Sequence, residues 1–313
     1  VTVAPRSATA FAPASVGNVG VGFDILGHSV AALGDKVRIT RRAGSGVVIK
    51  AIRGVVEDLP LVAEQNTAGM AALAVQRELD LPFGFELEIE KGIPLGSGLG
   101  GSAASAVAAV VAAAAFAAEP VDRTRMLKFA MQGEAVASGS VHVDNIAPSL
   151  FGGLVLTVGI DDPWVKQIPV PEAIRCVLVR PHMMVATRDA REILRKQIDL
   201  SDVIWQQANL AGFLAGCYTS DLPLIGASLL DVLIEPQRQK LIPGFADVKQ
   251  AAIASGALGC SISGAGPTVF AWTEAGSAVA VRDGMVKAFQ AHSLPADSWI
   301  STIDRQGARL VGD

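Results

Sequence analysis

Tyrosine is nearly missing from this chain, with one residue in 313, and histidine occurs only four times. Acid–base and metal-binding roles therefore have few candidates of the usual kind. Cysteine is limited to Cys176, Cys217 and Cys260, an odd number with no two at metal-ligand spacing. That argues against a disulfide framework or a zinc site, and for reduced thiols in a cytoplasmic protein. Charged residues make up 18% of the chain, 26 basic against 30 acidic, for a net charge of −4. A generally basic nucleic-acid surface is disfavoured, because only Arg41-Arg42 and Arg123/Arg125 cluster, and no nucleic-acid partner is expected. No apolar run is long enough to span a membrane. The most apolar stretch, Ala103 to Ala118, is mostly alanine and reads as a buried helix. The opening VTVAPRSATAFAPAS has no apolar run of signal-peptide length, so no membrane partner is expected.

What the chain does have is apolar residues, at 50%, and glycine, at 32 residues. This excludes a mainly disordered chain and gives enough length for two medium domains. Alternation and β-branched content predict strands at Thr9–Pro13, Lys36–Arg41, Gly46–Ile52, Phe85–Lys91, Leu154–Val158 and Arg175–Pro181, and a last one at Trp299–Ile303. Helices are predicted at Asn66–Leu79, Ser102–Ala118, Asp122–Ala137, Arg188–Gln197, Ser201–Cys217, Phe245–Ser255 and Ser277–Ala291. Leu258–Ser263 and Thr268–Thr273 read as a hairpin. The acidic, proline-containing stretch Asp161–Pro171 reads as a domain seam. Strands and helices interleave in both halves, which predicts an α+β protein of two domains.

Three glycine-rich segments carry the chemistry. PLGSGLGGSAAS, Pro94 to Ser105, follows a strand and opens the alanine-rich helix. Its glycines permit positive φ and close backbone approach, and the helix N-terminus beyond them favours anions. It reads as a phosphate cradle or as a tight turn capped by Ser102. No lysine follows the last glycine, so it is not a Walker A loop. PASVGNVGVGFDILG, Pro13 to Gly27, sets Asn18 and Asp24 in a loop anchored by Phe23, Ile25 and Leu26. Asp24 suits an amine or hydroxyl with Asn18 orienting it, or serves an Asx-turn in a structural loop. SISGAGPTVFAW, Ser261 to Trp272, could turn N–H groups toward an anion, and on its own reads better as a hairpin.

Together and in this order, the segments resemble the three motifs of the GHMP kinases, and the likeness spans almost the whole chain. Within the family, GEAVASGSVHVDNIAPSLFGG (Gly133–Gly153), ATRDAR (Ala186–Arg191) and EPQRQKLIPGF (Glu235–Phe245) are similar to the branch that phosphorylates homoserine. The resemblance implies a two-domain GHMP kinase fold, ribosomal-protein-like over residues 1–165 and ferredoxin-like over residues 166–313. It implies ATP bound by Pro94, Leu95, Gly96, Ser97, Gly98, Leu99, Gly100, Gly101, Ser102, Ala103 and Ala104, with Asn66 near the adenine. It implies Mg²⁺ on Ser102 and Glu134. Relatives usually carry two serines after the loop; here the first is Gly101.

For L-homoserine the resemblance points to Asn18, Asp24, His142, Thr187, Arg191 and Arg238, with Asn145, Asp24 and His142 on the catalytic positions. The chemistry suits a zwitterion: Arg191 and Arg238 can fork onto a carboxylate, and Asp24 with Asn18 can take an ammonium. Read singly, Arg191 beside Asp189 and Glu192, and Arg238 among Gln237, Gln239 and Lys240, look like solvated surface charges, and His142 like a core histidine. Asn145 stands where mevalonate-type relatives carry an aspartate base. A mechanism without a protein base is therefore implied, with Asn145 orienting the hydroxyl and Asp144 and Asp24 as the remaining acceptors. The alternatives are another GHMP small-molecule kinase and a non-catalytic, metabolite-binding member of the fold. Family members are often homodimers, and an exposed apolar face on a C-terminal helix would serve, though the sequence does not single one out.

Overall fold

A computed structural model of the chain describes residues 5–138, 141–159 and 162–312. Residues 139 and 140 of the homoserine-branch stretch, and Asp161 of the expected seam, lie outside them. Strands β1 (Ser7–Gly17) and β2 (Leu26–Arg42) form a long antiparallel pair, followed by β3 (Val47–Gly54), α1 (Thr67–Glu78) and β4 (Gly84–Lys91). Then come α2 (Gly101–Ala114), α3 (Arg123–Ser138), α4 (Val143–Phe151), β5 (Leu154–Val158) and β6 (Trp164–Ile168). The remainder is β7 (Ile174–Pro181), α5 (Thr187–Glu192), α6 (Leu200–Thr219), α7 (Leu222–Ser228), α8 (Glu235–Arg238), α9 (Phe245–Ala254), β8 (Ala257–Ile262), β9 (Val269–Glu274), α10 (Ala278–Ala291), β10 (Ala296–Ser301) and β11 (Arg309–Val311).

Among the described residues these strands make two sheets. One has seven strands in the order β11-β1-β2-β4-β3, with β5 beside the start of β2 and β6 beside β5. The other has four antiparallel strands, β10-β7-β9-β8. Helices α1, α2 and α4 pack on the first sheet, and α3 packs on those helices. Helix α2 runs through its middle, and alanine and valine let it: Ala103 through Ala114 are all buried, with side chains small enough for close approach on every side. In β7, Cys176 and Leu178 join the large core beside Trp272 and Phe213, while Val177 and Val179 join a second core under α9 and α10. That is the period-two alternation of a strand buried on both faces. His28 of β2 ties the sheets together. Its Nε2 accepts from Trp272 Nε1 at 3.1 Å, so its Nδ1 carries the proton shared with the Ser29 carbonyl. Burial pushes this histidine down to about 4.

The mixed α+β architecture and most expected elements are present. Strand β2 starts at Leu26, so the loop of the second glycine-rich segment is shorter than Pro13–Gly27. Helix α5 ends at Glu192 rather than Gln197, and the last expected strand lies at Ala296–Ser301. Helices α4, α7 and α8 and strands β6 and β11 were not expected. α4 contains Pro148, which reads as a breaker. Here Pro148 leaves the Asp144 carbonyl without a helical donor, and β2 crosses so near that a Cβ on Gly27 would lie 1.8 Å from it.

Candidate active site

The three glycine-rich segments, far apart in sequence, are pinned to one another. Ser15 N–H donates to the Leu99 carbonyl at 3.1 Å, Ser263 Oγ to the Gly98 carbonyl at 2.7 Å, and Gly264 N–H to the Gly17 carbonyl at 3.1 Å. The third segment is both of the things it could be: a connection between antiparallel β8 and β9, and a wall of the site. A cavity of about 580 Å³ opens where the three meet.

One end of the cavity is the loop from Pro94 to Ser102. Gly98 and Gly100 have φ of 75° and 65°. A Cβ on Gly98 would lie 2.5 Å from the Ser263 carbonyl oxygen, and one on Gly100 2.1 Å from Ser15 Oγ. Only glycine fits either place. Gly100 precedes α2 in the left-handed region, and no side chain caps the helix, so its first N–H groups face the cavity. Ser102 is therefore not the cap that one reading expected. Its hydroxyl donates to Glu134 Oε1 at 2.9 Å, across from α3. A hydroxyl and a carboxylate this close are hard oxygen donors that fit a Mg²⁺ sharing its other positions with phosphates and water. Leu99, Ala103 and Ala104, expected on the nucleotide, do not line the cavity. Their side chains are in the core, and Ala104 N–H bonds back to the Gly100 carbonyl within the helix. Asn66 lines the cavity, but its oxygen caps α1 through Ala68 and Gly69 N–H and its amide donates to the Pro60 carbonyl.

Sequence reasoning missed what lies beneath this loop. Lys91, buried at the end of β4, pairs with buried Asp35 of β2 and donates to the Gly101 carbonyl and Ser105 Oγ, both at 2.8 Å. Asp35 also accepts from Ser105 Oγ and from the N–H groups of Gly92 and Ile93. The strand ends and the start of α2 are thereby locked together. In the β4 alternation Glu86, Glu88 and Glu90 take one face, and Lys91 falls on the other with Phe85, Leu87 and Ile89, so the period-two pattern was the signal for its burial.

The other end holds Asp24, His142, Asp144, Asn145, Thr187, Arg191 and Arg238, together with Asn18. Asn18 and Asp24 both adopt positive φ, a conformation that asparagine and aspartate tolerate best among non-glycine residues. Asn18 shapes the loop: its oxygen accepts from Asp24 N–H at 3.0 Å and its amide donates to the Gly264 carbonyl at 2.9 Å. Asp24 forks onto Arg191. Arg238, which reads as surface in the sequence, is 5% exposed. Its Nε donates to the Ala190 carbonyl and Nη1 to the Gly264 carbonyl, both at 2.9 Å. Both guanidiniums lie over Phe23, with centroid distances of 5.1 and 4.9 Å, so they converge on one side of the cavity.

Asp144 is buried at the start of α4, which, with the nearby Asp24 charge, raises it to about 6. His142 Nδ1 lies 3.4 Å from Glu134 Oε1, and that contact raises the imidazole above its ordinary range despite burial. The arginine end of the cavity thus meets the Ser102–Glu134 pair through His142.

The family profile described as "GHMP kinases N terminal domain" matches residues 66–153, and "GHMP kinases C terminal" matches residues 213–291. The homoserine kinase of Xylella fastidiosa (strain M12) is 50% identical over 307 residues, covering 98% of this chain and 94% of the relative. That of Chlorobium phaeovibrioides (strain DSM 265 / 1930) is 43% identical over 98% of this chain and all of the relative. The crystal structure of homoserine kinase from Cytophaga hutchinsonii superposes with a TM-score of 0.95 at 43% identity over 99% of each chain. A mevalonate kinase from L. major, 16% identical with a TM-score of 0.69 over 94% of this chain and 95% of that one, shares the fold. The glycine loop, the opposed arginines and these full-length likenesses agree, and the chain belongs to the homoserine kinases of the GHMP kinase family.

Proposed function

We propose that the chain transfers the terminal phosphoryl group of ATP to the side-chain hydroxyl of L-homoserine. The products are O-phospho-L-homoserine and ADP, in the step that prepares this side chain for threonine synthesis. The observation that carries the reading is one cavity with two unlike ends: an uncapped helix N-terminus behind a glycine loop, and two converging arginines beside Asp24.

The β- and γ-phosphates take the N–H groups at the start of α2. Ser102 and Glu134 would hold a Mg²⁺, which when bound would supply charge neutralisation on the phosphates. Arg191 and Arg238 take the homoserine carboxylate, and Asp24 takes the ammonium. Thr187 and His142 border this seat. Asn145 orients the acceptor hydroxyl, and no side chain acts as base. The transition state is loose, so alignment and charge neutralisation supply most of the acceleration, and early deprotonation contributes little. Asp144 is already engaged: its two oxygens accept from Asn18 N–H and from the Asn145 amide, both at 3.2 Å.

A coupled ADP-production assay with L-homoserine, mevalonate and galactose tests the reading. Turnover is expected with homoserine alone. Comparable turnover with either other alcohol, or ATP binding without turnover, would overturn it.

The working division is residues 1–165, carrying the phosphate loop and Asp24, and residues 166–313, carrying Thr187, Arg191 and Arg238, with β6 running across the seam and β11 returning to the first sheet. Three buried free cysteines suit a reducing cytoplasm, and no described helix is long and apolar enough to cross a membrane. For assembly we favour a homodimer through α6, which exposes Leu200, Ile204, Trp205 and Tyr218. Sedimentation of Ile204→Asp, expected to run as a monomer, tests this.

A further inference from the structure

An asparagine amide has two ends of nearly equal shape and opposite hydrogen-bonding character, and only its surroundings decide which end faces where. Asn145 sits between two buried groups, of which the carboxylate settles the choice and the hydroxyl, able to donate or accept, follows it. On one side, Asn145 Nδ2 donates to Asp144 Oδ1 at 3.2 Å. An ionised carboxylate only accepts, so the NH₂ end must turn to it. On the other side, Ser15 Oγ donates to Asn145 Oδ1 at 2.9 Å.

Ser15 is 0% exposed and has little freedom. It follows the register shift of β1 between Pro13 and Ala14. Its own N–H is fixed on the Leu99 carbonyl of the phosphate loop, and its hydroxyl lies against Gly100, where a Cβ would come within 2.1 Å. Asp144 is held in turn, its second oxygen on Asn18 N–H. A continuous line of hydrogen bonds therefore runs from the phosphate loop through Ser15, Asn145 and Asp144 to the Asn18–Asp24 loop. Asn145 is its central member.

We propose that Ser15 is a positioning residue for phosphoryl transfer, its hydroxyl holding in place the Asn145 amide, whose orientation Asp144 sets, at the joint between the phosphate loop and the homoserine seat. This rests on the reading above that Asn145 orients the acceptor hydroxyl. Ser15 reaches neither substrate in this role; it acts through Asn145. The lock matters for rate rather than for affinity. An amide that has lost this bond would swing about its side-chain torsion and spend part of its time out of line with the hydroxyl, while the carboxylate and ammonium contacts of homoserine stay intact.

The test is a double-mutant cycle with a spectroscopic arm. Ser15→Ala should lower kcat about tenfold, the scale of one lost hydrogen bond, with KM for homoserine and ATP changed by less than about twofold. In an Asn145→Ala background, Ser15→Ala should have no further effect on kcat. In ¹H–¹⁵N spectra, the Asn145 side-chain NH₂ signals should shift or broaden in Ser15→Ala. An unchanged kcat, or an equal loss in both backgrounds, would overturn the proposal, since a merely structural serine acts independently of Asn145. Unaltered Asn145 NH₂ signals would also overturn it. If Ser15→Ala does not fold, Asp144→Asn removes the obligate acceptor from the other side, and the same kcat, KM and NH₂ readouts decide. Failure of the underlying reading looks different: Asn145→Ala would keep full turnover, while the NH₂ signals would still report whether Ser15 holds the amide.

Discussion

Arg191 and Asp24 form a forked ion pair, Nη1 to Oδ2 at 2.5 Å and Nη2 to Oδ1 at 3.1 Å, across 167 positions of sequence. These two side chains are proposed to take opposite ends of the same substrate. Each is the other's counterion, and a zwitterion could replace both at once without leaving a charge alone. On that reading, amino acid binding exchanges one ion pair for two.

A molecule with only one of the two charges should be a poor ligand. Removing either the amino or the carboxylate group of homoserine should weaken binding about ten- to a hundredfold, because one partner of the opened pair is left without a counterion. Isothermal titration with the deaminated and decarboxylated analogues checks this. Arg191→Ala should raise KM for homoserine by a similar factor and leave KM for ATP unchanged. The pair is near the surface, 43% and 42% exposed, so its loss should cost no more than about 1 kcal/mol of stability.

Gly100→Ala should abolish nucleotide binding while the protein still folds. The new Cβ would need a φ of 65° and the space now held by Ser15 Oγ. The loop must move, and the helix N-terminus loses its alignment with the phosphates. Titration with ADP checks the loss, and circular dichroism checks the fold.

Asp35→Ala should destabilise the protein more than Lys91→Met. Removing Asp35 strands the buried Lys91 ammonium and the N–H groups of Gly92 and Ile93, at a cost of about 3–5 kcal/mol. Removing Lys91 leaves Asp35 with three donors, Ser105 Oγ and those two N–H groups. Urea unfolding of the two variants gives the order.

His28 makes stability depend on pH. Its folded value lies at about 4, below the ordinary 6.5, so the folded state prefers the neutral ring. The contribution is fully present above pH 6.5 and is lost as pH falls through that window toward 4. Its size is on the order of 3 kcal/mol. Unfolding followed by tryptophan fluorescence, which Trp272 reports directly, should become less pH-dependent in that window in His28→Gln.

Elements with a local cause were legible in the sequence. The alanine-rich helix, the glycine bend before it and the β8–β9 hairpin follow from residues within one turn or strand. Arg238 was not legible from its own neighbours: polar residues flank it on every side, and its burial comes from Ala190 and Gly264, both distant in sequence. The Lys91–Asp35 lock, the Ser15–Asn145 contact and the His28–Trp272 bridge are likewise long-range, with partners 56, 130 and 244 positions apart. Strand alternation places Lys91 with Leu87 and Ile89, and Asp35 with Val37 and Ile39, on buried faces, but it does not name the partner across the fold. The family resemblance brought Arg191, Arg238 and His142 forward, and it had nothing to offer for Ser15, Lys91 or Asp35.

Helix α2 is boxed in along nearly its whole length, whereas Met184, which lies against Gly96, and Arg191 are solvent-facing. The end proposed for the triphosphate therefore behaves as a fixed anvil, backed by a helix that has no room to shift.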